Sequence, residues 1–253
     1  TLDTTSLSLG SGNLTGTIVV TRAGNGAVTA TSSNTGIAVV RVSGTTVTVT
    51  AKTTGSATIT VKVAAGTNHN APADKTCAVT VQMYSPTLAA NSWAQIAEAS
   101  AAGKASSLWK VGDTKDIIVN GETLTLAIMG FNHDDLQSGG KAGITFGMKN
   151  LMASVRDMTS LGSNSGGFTS SAMYTWLQGT LLNSLPADLR GVLKSVNKKT
   201  SAGNKSTVIN TNAMKLFLFS EQEIFGAKIY SAGGEGAQYS YFATAANRVK
   251  YLA

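Results

Sequence analysis

The chain has 253 residues, enough for two hydrophobic cores, with a net charge of +7 and only 13% charged residues. A single cysteine excludes an intrachain disulfide, and no run approaches the roughly 18 apolar residues that a membrane-spanning helix needs. The basic excess, about +3 on residues 1–83 and +4 on the rest, lacks the clustering and interleaved aromatics of a nucleic-acid face, which argues against that partner.

The densest basic stretch, Lys194, Lys198, Lys199 and Lys205, lies among Ser, Thr and Asn and reads as a solvated loop. The opening at Thr1, without Met or a signal-like apolar region, reads as a processed or trimmed start. All 16 aromatic residues follow Met83, whereas 20 threonines precede it. That contrast predicts a domain over 1–83, a linker over 84–91 and a second domain over 92–253.

In the first domain apolar residues alternate with polar ones, as in strands buried on one face. Leu7 with Leu9, Val19 with its β-branched neighbours, Val28 with Ala30, and Ile37 with Val39 supply inward faces. Val47 with Val49, Ala57 with Ile59, Val61 and Val63, and Cys77 with Val79 and Val81 supply the others. Threonine fills many alternate positions, where β-branching suits a strand and the hydroxyl suits water. Turn signals at Gly24-Asn25-Gly26, Ser43-Gly44 and Thr54-Gly55 complete the pattern of a seven-strand β-sandwich. Cys77 reads as a small buried hydrophobe, and His69 as an exposed residue of a long loop.

Ser6-Leu7-Ser8-Leu9, the segment from Ser32 to Val40 and the segment from Gly44 to Thr60 resemble the bacterial immunoglobulin-like group 2 domain. The resemblance implies an immunoglobulin-like sandwich serving as a spacer or low-affinity attachment module of bacterial surface adhesins and of phage tail and capsid proteins. Thr29-Ala30-Thr31 stands where that family frequently has Trp, so the core must pack differently.

In the second domain Ser92 and Gln95 form a capping-box pattern ahead of an apolar helical face, Trp93, Ile96, Ala97 and Ala101, that ends at Gly103. Asn120-Gly121 predicts a tight hairpin between strands Asp116–Val119 and Glu122–Met129. Ser170 or Ser171 opens a helix carrying Met173, Trp176, Leu177, Leu181 and Leu182, which Leu185-Pro186 ends. Pro186 opens a further short helix with Leu189, Val192 and Leu193 inward. Leu216–Phe219 reads as a buried strand, and Ser220 caps a last helix beginning Glu221-Gln222-Glu223. The organisation is α+β, without the βαβ rhythm of a nucleotide-binding sheet.

Ser92–Ile96, Trp109–Asp113, Ile128–Asp135, Gly166–Met173, Leu185–Leu189, Val196–Thr200 and Leu216–Gly226 together resemble a domain of unknown function of gut Firmicutes and phage surface or structural proteins. The resemblance spans roughly residues 90–251, with Tyr174 standing where the family usually has Arg. Relatives continue past the segment resembling Arg248-Val249-Lys250, as if closing a C-type-lectin-like or sulfatase-modifying-factor-like fold. The resemblance thus implies a module incomplete at Ala253, either cut there or completed by an additional chain.

Asn132-His133-Asp134-Asp135 joins an imidazole to two carboxylates, but adjacent residues point different ways and suit a turn. As metal ligands Asp134 and Asp135 lack the spaced pattern of a dedicated calcium loop. Glu221 and Glu223 fall in a first helical turn, which the dipole and free amides favour for carboxylates. No catalytic residue and no cofactor are expected. Tyr230, Tyr239, Tyr241 and Phe242, around the Gly-rich residues 231–236, form the candidate surface for a glycan or a protein, while Trp93, Trp109 and Trp176 are assigned to the core.

The combined expectation is a non-enzymatic extracellular protein of a bacterial surface or phage virion, serving structure or adhesion. Its partners would be other virion or cell-surface subunits or a surface glycan, with no membrane insertion. The rival reading is a glycan-directed hydrolase using Asp134, Asp135, Glu221 or Glu223. It requires two of these carboxylates to converge in a cleft, about 5–10 Å apart.

Overall fold

The alternation Thr46-Val47-Thr48-Val49-Thr50-Ala51 produces a strand with Val47, Val49 and Ala51 buried and the threonines outward, and it sets the register of its neighbours. The computed structural model describes residues 1–159, 162–231 and 233–250. It is mostly β-sheet, in several small sheets with few helices, and divides into units Thr1–Ser85 and Pro86–Ala253.

The first unit holds β1 (Ser6–Gly10), β2 (Thr15–Val19), β3 (Val28–Ser32), β4 (Ala38–Ser43), β5 (Thr46–Ala51), β6 (Gly55–Val63) and β7 (Lys75–Gln82). One sheet has the order β1-β7-β6-β3 and the other β2-β5-β4, with β1 parallel to β7 and the remaining pairs antiparallel. Both sheets contribute to one aliphatic core that includes Ile18, Val47, Ile59, Cys77 and Val79. Each such side chain, fully buried, is worth about 1.5–3 kcal/mol of transfer free energy.

Two expected faces are reversed. Val19 is 41% exposed while Ile18 and Val20 are buried, and in β4 the inward residues are Ala38, Val40 and Val42 rather than Val39. The cause lies in pairing: Ile18 stands opposite Val47, Val40 opposite Val49 and Ala38 opposite Ala51, whereas Val39 stands opposite the outward Thr50. Ile37 packs on the core from just before β4, and Gly55, at φ +150°, leaves the space: a Cβ there would lie 2.6 Å from Ile37 Cδ1.

In the second unit a short 3-10 turn, Leu88–Ala90, buries Leu88, so part of the expected linker is folded into this unit. Helix α1 (Trp93–Ala101) begins with both arms of the capping box made: the Ser92 hydroxyl accepts from the Gln95 amide, and the Gln95 side chain from that of Ser92. A single turn, α2 (Ala105–Leu108), follows. Strands β8 (Thr114–Val119), β9 (Glu122–Gly130) and β10 (Thr145–Met148) form a sheet of order β10-β9-β8. Asn120 (φ 51°) and Gly121 (φ 84°) make the type I′ turn that the sequence predicts.

The helix capped by Ser171 runs through α3 (Ala172–Trp176), a π-helical stretch Leu177–Leu181 and α4 (Leu182–Ser184). Pro186 precedes α5 (Ala187–Val192). Next come β11 (Val196–Ser201) and β12 (Ile209–Met214), paired antiparallel, then α6 (Glu221–Phe225) and α7 (Ser240–Ala243). The expected strand at Leu216–Phe219 is irregular chain. Phe217 and Phe219 pack against Ala127, Met129, Tyr239, Tyr241 and Phe242, while Leu218 is 44% exposed. The expected basic loop is instead partly the hairpin strand β11, whose Val196 and Lys198 face inward and whose Lys199 faces out. The chain end at Ala253 lies outside the described residues.

Candidate functional site: a buried lysine between two carboxylates

Strand β9 leads into a loop that turns at Asn132 (φ 51°), closes on itself by the bridge Asp135–Lys141 and is fastened to β11 by the bridge Leu136–Val196. The Asn197 amide donates to the Asp135 carbonyl at 2.8 Å. This anchoring sends adjacent carboxylates in opposite directions. Asp134 is buried, whereas the Asp135 side chain is 64% exposed and pairs with Lys141 at 2.7 Å, a surface contact of little energetic weight. The two therefore share no metal-binding position.

Asp134 meets Lys198 from β11, Glu223 from α6 and Tyr239 from the residues before α7. Lys198 Nζ donates to Asp134 Oδ1 at 2.9 Å, to Tyr239 Oη at 2.9 Å and to Glu223 Oε1 in a very short contact. All three ammonium protons are thereby used. Tyr239 Oη shares its own proton between Asp134 Oδ1 and Oδ2, at 2.9 and 2.8 Å, and Thr145 Oγ1 donates to Oδ2 at 2.5 Å. Glu223 has a double role: it is the N3 residue of the α6 capping box, its Oε2 accepting from the Ser220 amide at 3.0 Å, and its other oxygen faces Lys198.

The side chains of Lys198, Asp134 and Glu223 are 4%, 4% and 3% exposed. Rings wall the cluster. Lys198 Nζ lies 4.2 Å from the Phe217 ring centroid, and His133 stacks on Tyr239 at 3.8 Å. Gly236, at φ +129°, allows close approach: a Cβ there would sit 2.8 Å from Glu223 Oε1.

The environment drives the two carboxyls apart. Burial pushes Asp134 up, but Lys198 and the hydrogen bonds from Thr145, Lys198 and Tyr239 together hold it below its ordinary value. For Glu223 burial wins over Lys198 and the Ser220 amide, and its carboxyl is raised. Burial raises the Tyr239 phenol, reinforced by Glu223 and Asp134. Burial lowers the His133 imidazole, against the pull of Asp134.

Ligand atoms of His133, Asp134 and Glu223 lie within 4.8 Å of one another, a spacing that suits a cation. The chain supplies its own, because the Lys198 ammonium already touches both carboxylates. Two of the carboxylates that the hydrolase reading needs do converge, but in a sealed interior with a lysine between them. Glu221 is engaged elsewhere. Its carboxylate accepts amides of Ser231, Ile229 and Tyr230 at 2.8–2.9 Å, which hold it down to about 2.

Of the four candidate ligand-binding aromatics only Tyr230 is at the surface, 93% exposed; Tyr239, Tyr241 and Phe242 are 0%, 6% and 1% exposed. Tyr239 is drawn in by its bonds to Asp134 and Lys198, and Phe242 by edge contacts with Phe219 (5.3 Å) and Tyr241 (5.4 Å). Trp93 and Trp109 are core residues as expected. Trp176 instead lines a cavity of about 130 Å³ with Asn120, Glu122 and Arg156, the guanidinium 4.4 Å from its ring centroid. Lys198 was the residue hidden from sequence reasoning. The available signal was its place two after Val196, inward on a strand of period two.

Residues 143–253 match the family profile described as "Domain of unknown function (DUF6273)". The match includes Thr145, Lys198, Glu223 and Tyr239; Asp134 precedes it. No curated protein matches the chain. Among solved structures, "Crystal structure of the S-layer protein SbsC domains 4 and 5" is 30% identical, covering 32% of this chain and 49% of that one, with a TM-score of 0.26. "Structure of surface layer protein SbsC, domains 4-9" is 20% identical, covering 57% of this chain and 21% of that one, with a TM-score of 0.27. The chain thus spans about half of the first S-layer fragment and a fifth of the second.

Proposed function

We propose that this chain is a non-enzymatic structural and adhesive component of a bacterial surface or phage virion. The first unit, as an immunoglobulin-like sandwich, serves as spacer or docking module, and the second, read as C-type-lectin-like, contacts another subunit or a surface glycan. The observation that carries the reading is the segment after α6. Glu221 grips three consecutive amides, so Ile229 and Tyr230 project from a fixed backbone, 63% and 93% exposed, a few residues after Phe225 at 45%. Large apolar side chains held rigidly in water mark contact surfaces, because little ordering entropy remains to be lost on binding. Thr46, Thr48 and Thr50, outward on β5, suit a solvated spacer.

The test compares the full chain with Ile229→Ser/Tyr230→Ala on a glycan array and on isolated bacterial envelopes, with self-assembly followed by light scattering. Loss of binding or assembly in the double variant is expected. Equal binding by both proteins would remove the segment as the contact site.

A further inference from the structure

The geometry points to an intramolecular amide bond between the side chains of Lys198 and Asp134, formed autocatalytically with Glu223 as proton carrier. Nothing in the surface role requires this bond; it rests on the cluster alone. An amine can acylate itself on a carboxyl group if three conditions coincide. The nitrogen must be held against the carboxyl, water must be excluded, and a group must move protons between them. All three are present.

Lys198 Nζ is hydrogen-bonded to Asp134 Oδ1 at 2.9 Å, which holds the nitrogen against the carboxyl group whose carbon it would attack, and both side chains are 4% exposed. Asp134 Oδ2 accepts from Thr145 Oγ1 (2.5 Å) and from Tyr239 Oη (2.8 Å), so the oxygen that becomes negative on attack already faces two donors. Glu223 Oε1 contacts the attacking nitrogen directly. The rings of Phe217 and Tyr239 flank the nitrogen and help to keep water from the reacting groups. The raised Glu223 carboxyl is consistent with a group that holds a proton in this setting.

The reaction balances without any further reagent. Glu223 takes a proton from the Lys198 ammonium, and the freed lone pair of Nζ attacks Asp134 Cγ while the carbonyl π pair moves onto Oδ2. Glu223 returns that proton to Oδ1 and relays a second from the nitrogen, so Oδ1 departs as water when the carbonyl re-forms. Two of the three ammonium protons leave in that water, one stays on the amide nitrogen, and Glu223 ends as it began. The ammonium and carboxylate charges cancel, so one buried ion pair becomes one neutral amide. Effective molarities on the order of 10⁵ M or more for well-oriented intramolecular partners drive condensation where water is absent. The bond would tie the loop after β9 to β11 and close the intervening chain into a covalent ring.

Intact-mass spectrometry of the purified full chain, denatured in acid, tests the proposal directly. The expected mass is that of the sequence less one water. Trypsin is expected to release residues 116–141 joined to residues 195–199, with cleavage after Lys198 lost. In Asp134→Asn the same attack expels ammonia, so that variant is expected to fall short of its own sequence mass by one ammonia. Glu223→Gln, checked for folding by circular dichroism, is expected to keep its full mass. A folded wild-type chain of full sequence mass after prolonged incubation, yielding the two peptides separately, would overturn the proposal. A water lost equally by Glu223→Gln would overturn the role of Glu223.

Discussion

Replacing Lys198 by Met keeps the length of the side chain and removes its charge, leaving Asp134 and Glu223 buried and facing each other. Removing one partner of a buried ion pair typically costs about 3–5 kcal/mol, because the remaining charge is neither hydrated nor compensated. Here two carboxylates are stranded, at 4% and 3% exposure, and any covalent link through Lys198 is lost as well, so the upper part of that range or more is expected at pH 7. The pH dependence identifies the cause. Without the cation both carboxyls have folded-state values above their unfolded ones, so their contribution is fully present below the unfolded carboxylate range and is lost as pH rises through the folded values. The deficit of the variant should therefore shrink between pH 7 and pH 4.5. Urea unfolding followed by tryptophan fluorescence is the assay: Trp93, Trp109 and Trp176 all lie in the second unit, so the signal does not mix the two. A loss below about 1 kcal/mol at pH 7, or one independent of pH, would refute the account of Lys198 as the compensating charge.

In the first unit, Ile18→Ala should cost about 2–4 kcal/mol, while the same truncation at neighbouring Val19 should cost under about 0.5 kcal/mol. Hydrogen-exchange mass spectrometry resolved by peptide would show the difference, and comparable losses would contradict the register of β2 on β5. Gly236→Ala should lower the thermal midpoint of the second unit, at a cost of about 1–3 kcal/mol, because φ +129° suits no L side chain and the new Cβ would press on Glu223. An unchanged midpoint by fluorescence-detected melting would show that this contact is easily relieved.

What was legible from the chain was local. The Asn120-Gly121 turn, the Ser92–Gln95 capping box and the helices opened by Ser92, by Ser170 or Ser171, and by Ser220 each depend on a few adjacent residues, and each is present, the second helix opening at Ser171. Faces were legible only where alternation is strict, as in β5 and β7. At the end of β2 a run of β-branched residues, Ile18-Val19-Val20, fits either face, and the partner strand made the choice. Hairpin β11–β12 was missed because its inward positions include a lysine, and Asn and Thr dominate the rest. The strand expected at Leu216–Phe219 failed for the converse reason: an apolar run needs a partner for its backbone as well as a core for its rings.

The sequence by itself determined the division near Met83, because a segment without a single aromatic and rich in threonine builds a different core from one holding three tryptophans. It also determined where turns and helix ends fall, since those are satisfied by neighbours in the chain. Only the tertiary structure decided the meaning of Asp134, Lys198, Glu223 and Tyr239. These residues are separated by up to 105 positions and each looks ordinary in its own segment. A buried charge is tolerable only beside its complement, and that juxtaposition exists nowhere in the linear chain.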